Sequence, residues 1–116
     1  MRGDWGYRFL LCGGYSVEKS VFVTYGSEFA LLLGLPDKAV TTKPFIRQIP
    51  EPYRGMFVEG YDKASIESLP VILEGTFSVG SKSELFRAVF MAIMLQPNWS
   101  KQLILGSFNL RTADPS

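Results

Sequence analysis

SKSELFRAVFMAIMLQP, residues 81–97, is the stretch on which the reading of the fold turns. Its only charged residues are Lys82, Glu84 and Arg87, and no polar side chain occurs from Ala88 to Leu95. Ser81 followed by Glu84 matches a helix-capping box, and Pro97 supplies a stop, so the spacing predicts a helix over 82–95. On a helical wheel Leu85, Ala88, Val89, Ala92 and Leu95 form one stripe, with Phe86, Phe90 and Ile93 beside it. Met91 and Met94 extend the greasy arc well past the roughly 100° that a surface helix needs. One sheet cannot cover such an arc. Phe86, Phe90, Met91 and Met94 are therefore expected at a subunit interface. Cover by another part of the same chain is the alternative.

Working outward, alternation predicts strands over 5–12, 17–25, 66–79, 102–105 and 108–111. In the first, Trp5, Tyr7, Phe9 and Leu11 share one strongly apolar side, and a turn at 13–16 makes a hairpin with the second. In 66–79, Leu69, Val71, Leu73, Phe77 and Val79 share a face, and Gly75 is expected at a bend that curls the strand. Residues 26–34 are open between a short helix ended by Gly34 and a third strand, with strand or irregular structure favoured. Residues 36–55 hold Pro36, Pro44, Pro50 and Pro52 and are read as a long loop. Within it Pro50, Pro52, Tyr53 and Arg54 form a stiff segment. Either it reaches a neighbouring subunit or it meanders on the surface.

This order predicts a single α+β domain, mostly antiparallel, built as a split β-barrel or sandwich flanked by one helix. Hydrophobic residues make up 47% of the 116, which excludes a disordered chain. Charged residues make up only 20%, which points to surface covered by a partner, a greasy monomer being the alternative. Net charge is +1 with no basic cluster, which excludes tight DNA binding by a lone copy.

The chain has no histidine and one cysteine, Cys12. Histidine-based triads, an internal disulfide and a thiolate metal cluster are therefore excluded. No phosphate-binding loop occurs, Glu67 and Glu74 fall on opposite strand faces, and Cys12 is read as a packed thiol. Arg-Gly-Asp at 2–4 is a chance match. The expectation is no catalytic residue, no cofactor and no metal. The longest apolar run is too short to span a bilayer, which takes about 20 residues, so no membrane association is expected.

Residues 55–116 carry one resemblance. GMFVEGYD, SIESLPVILEGTF, SKSELFRAVFMAIMLQP and KQLILG together resemble the N-terminal domain of phage distal tail proteins. The Ser-x-x-Glu-Leu helix opening after a long strand carries most of the match. The resemblance implies a split barrel flanked by a helix, shared with tail-tube and tail-terminator proteins. It implies a homo-oligomeric ring, commonly a hexamer, that contacts other phage tail proteins and passes DNA only as cargo. The location implied is the virion tail, after synthesis in the host cytoplasm. The alternative is a small cellular domain that docks one protein through its apolar helix face.

Overall fold

The computed structural model describes residues 8–67, 69–93 and 102–112. The elements run β1 (Phe9–Gly14), β2 (Val21–Tyr25), α1 (Ser27–Leu33), α2 (Phe45–Gln48), α3 (Glu51–Ile66), β3 (Val71–Val79), β4 (Lys82–Ile93) and β5 (Gln102–Thr112). The five strands form one sheet in the order β2-β1-β5-β4-β3, and every neighbouring pair is antiparallel. The α+β class holds. Among the described residues β2 and β3 are the outer strands, Val21 of β2 making one further bridge to Pro44, and the sheet is not closed into a barrel.

The helix expected over 82–95 is a strand, β4, paired along its length with β3 on one side and β5 on the other. A run without polar side chains suits either a buried helix or a strand flanked on both sides. Hairpin chemistry at its start decides. Val79 pairs with Lys82, leaving Gly80–Ser81 as a two-residue turn, with Gly80 at φ 64. That left-handed backbone is what tight β-hairpins require and what glycine supplies without steric cost. Ser81 thus closes a hairpin and caps no helix.

The long helix lies instead in the proline-rich segment. Pro50 is the N-cap of α3, and Pro52 falls in its first turn, where backbone N–H groups have no partner within the helix. Tyr53, Met56, Phe57, Gly60, Tyr61 and Ala64 form its buried stripe at helical spacing. The loop expected over 36–55 therefore gives way to α2 and the start of α3. Residues 27–33 are helical as well. Gly26 is the N-cap, and Gly34 at φ 69 closes the helix by donating its N–H to Ala30 O. The strand expected over 66–79 begins at Val71, since Ile66 ends α3. Residues 102–105 and 108–111 belong to one continuous strand, and β2 starts only at Val21. Residues 5–7 lie outside the described residues.

All three helices pack on the same face of the sheet. Phe29 of α1 meets Phe22 and Phe108, Phe45 of α2 meets Phe22, and Phe57 of α3 meets Phe90 and Phe108, all at 5.1–6.4 Å between ring centres. Leu10, Cys12, Phe22, Ala88, Phe90, Ile104 and Phe108 supply the sheet's side of this core. Its polar atoms are partnered, with Ser20 and Tyr61 hydroxyls hydrogen-bonded to each other and Ser20 Oγ also donating to Ser16 O. Gly60 lets α3 lie directly on β4: a Cβ there would stand 2.3 Å from Cε1 of Phe90. Gly75 produces no bend. It sits opposite Phe86 in an unbroken ladder, and a Cβ would stand 2.9 Å from that ring.

Candidate functional site: the open face of the sheet

In a strand, neighbouring side chains point to opposite faces. Because Leu10, Phe22, Val71, Phe90 and Phe108 face the helices, the residues between them face away. The ladder registers order those residues into rows. Ile93 stands beside Leu103, which is opposite Gly13. Met91 pairs with Leu105, which pairs with Leu11. Ile72 pairs with Val89, then come Ser107 and Phe9. Val23 of β2 is at the same end. These three rows are almost wholly apolar. Met91, Val23 and Ile72 are 38%, 46% and 54% exposed, and the rest are half-buried, apart from Ser107 and Gly13, which are buried. No helix among the described residues packs on this side.

The rows beyond change character. Glu74 pairs with Arg87, which pairs with Asn109; Leu85 pairs with Thr76 on one side and Arg111 on the other. Arg8 hydrogen-bonds through Nη1 to Asn109 Oδ1. Together Arg8, Glu74, Leu85, Arg87, Asn109 and Arg111 line an open groove. Glu74 and Arg87 form an ion pair at 3.5 Å, but both side chains are about 60% exposed, so the pair adds little to stability and remains open to other partners. The face is therefore amphiphilic along the strand direction, apolar at one end and arginine-rich at the other.

The residues expected at an interface are not brought together. Phe90 is 1% exposed in the core, edge-on to Phe57 at 5.8 Å. Phe86 is half-buried on the same side, stacked on Phe77 at 4.5 Å. These two are corrected from interface to core, because strand alternation turns them towards α3. Of the three that are described, Met91 is on the open face; Met94 lies outside the described residues. Tyr53 is buried and donates its hydroxyl hydrogen to Glu84 Oε1 at 2.7 Å, tying α3 to β4. Burial first, then the hydrogen bond and charge of Glu84, push its pKa up to about 12. Arg54 donates to Ile49 O at 2.8 Å and Arg47 O at 3.2 Å, bracing the α2–α3 corner, with half-buried Pro50 and exposed Pro52 beside it. These contacts brace the segment itself, with Arg54 and Pro52 exposed.

Sequence reasoning missed Leu11, Val89, Leu103, Leu105 and Ile72 as site residues, and it read Phe9 and Leu11 as part of a strand's apolar side without seeing that this side faces outward. The signal was present. Two adjoining strands, 9–14 and 102–112, each carry large apolar residues on both sides, although helices cover one. Among the described residues no group of three or more Cys, Asp and Glu could hold a metal ion, and burial pushes the Cys12 thiol well above its ordinary pKa. No described helix is long and apolar enough to cross a membrane. Comparison with protein-family models gives no match, and comparison with curated proteins gives none either.

Proposed function

We propose that this chain is a docking domain that works through the open face of its sheet, with no catalytic step of its own. The observation that carries this reading is the one-sided layering. Three helices bury one face, while the other presents Phe9, Leu11, Val89, Met91, Leu103 and Leu105 in adjoining rows. An apolar patch of that extent, rimmed by polar residues, marks an interaction surface in soluble proteins. The ring subunit of a phage tail is the second reading, favoured by the same patch, since a ring gives each copy a neighbour to cover it. It ranks second because the capped helix on which that resemblance rested is a strand.

Mass in solution and uptake of an apolar dye test both readings. Met91→Asp with Leu105→Asp places charges on a directly opposed pair of the open face. A docking domain gives a folded monomer or dimer whose dye uptake or self-association disappears in this double variant. A ring gives a hexamer that the same variant dissociates. A monomer that takes up no dye, with or without the substitutions, would overturn both.

A further inference from the structure

We infer that the segment seated on the open face is an amphipathic helix from another protein, apolar along one side and acidic at one end. This rests on the docking reading above and adds the chemistry of the partner. The apolar rows need a layer across them, and helices already supply that layer on the other face, where Phe29, Phe45 and Phe57 of α1, α2 and α3 meet the sheet. The groove at the far end sets the charge. Among the described residues the groove is lined by three arginines, Arg8, Arg87 and Arg111, and one carboxylate, Glu74, which pairs with Arg87. A segment that places carboxylates there meets charge-assisted and bidentate donors.

A second copy of this chain fits less well. Two such faces related by a twofold axis along the strands bring arginines onto arginines. An axis across the strands, with full overlap, lays them on Ile72, Val89 and Met91. Either arrangement leaves guanidinium groups without a counter-charge, which works against the pairing.

Two labelled synthetic helical peptides test this by fluorescence anisotropy. Each has a leucine stripe; one ends in a turn of glutamates, the other in a turn of lysines. The glutamate peptide is expected to bind, more weakly as salt rises, and the lysine peptide to bind less. Arg111→Glu, at an exposed position, is expected to weaken the glutamate peptide about tenfold or more and to strengthen the lysine peptide. Met91→Asp is expected to weaken both.

Equal binding of the two peptides, or of neither, overturns the inference. If neither binds but the protein self-associates through Met91, docking stands and the occupant is a second copy. If anionic vesicles take up the protein and the glutamate peptide does not, the occupant is a lipid surface. If peptide, copy, vesicle and dye all fail, the docking reading fails with it.

Discussion

Phe90 and Met91 are adjacent in sequence and lie on opposite sides of the sheet, so truncating each in turn gives sharply different results. The Phe90 ring is 1% exposed, meets Phe57 edge-on at 5.8 Å and fills the space left by Gly60. Cutting it to alanine removes the ring from a packed site that cannot close around the gap, a loss of about 3–5 kcal/mol. A domain of this size is stable by about 5–15 kcal/mol, so Phe90→Ala removes a large part of the total. Met91 is already 38% exposed and no helix among the described residues lies over it, so Met91→Ala is expected to cost within about 1 kcal/mol. Urea unfolding followed by far-ultraviolet circular dichroism measures both, with free energies taken from midpoint and slope. If residues 82–95 were a helix, the two side chains would lie in one apolar arc and their costs would be similar. A Phe90→Ala protein within about 1 kcal/mol of the parent, or a Met91→Ala protein as damaged as Phe90→Ala, would refute the strand and the orientation of its faces.

The close approach of α3 and β4 predicts that Gly60→Ala is destabilising, since overpacking costs about 1–3 kcal/mol and outweighs the helix propensity gained. Adding Phe90→Leu should recover part of the loss in melting temperature, and no recovery would show that the ring is not the obstacle. Stability should also fall in alkali. Tyr53 is held at about 12 against an ordinary 10, and burial likewise raises Tyr25 and Tyr61. The fold keeps these protons longer than the unfolded chain does, so their contribution is intact below about pH 10 and is lost as pH climbs towards 12. Denaturant unfolding across that range should show the decline, shallower in Tyr53→Phe; a flat profile would contradict the partly buried hydrogen bond to Glu84.

Much of the core was legible in the sequence. Period-two alternation placed Val71, Leu73 and Phe77 on one face of β3, where they meet the helices, and the hairpin expected of 5–12 with 17–25 is present as Phe9–Gly14 paired with Val21–Tyr25. The chief error came from one local signal with two meanings. Ser81 and Glu84 make a capping box, but Gly80 and Ser81 also make a hairpin turn, and the apolar run that follows obeys either period. Only tertiary pairing with β3 and β5 separates them. The prolines misled in the same way. Pro50 and Pro52 exclude a central strand and so suggest a loop, although a helix accepts proline in its first turn without losing a bond. Tyr53, Met56, Phe57, Tyr61 and Ala64 then follow at helical spacing, interrupted by the glycine that the close packing on Phe90 demands. The open face was hidden because a side chain's inward or outward direction depends on which side the helices take, and alternation alone does not carry that.

The central claim is that no element among the described residues covers the Met91 side of the sheet, and methionine oxidation measures this most directly. Met56 is buried in α3 at 7% exposure, while Met91 stands on the open face. Dilute native protein treated briefly with peroxide and mapped by peptide mass should show Met91 oxidised readily and Met56 protected until the protein unfolds. Protection of Met91 equal to that of Met56, in protein shown to be monomeric, would mean that the chain covers this face itself and would contradict the account.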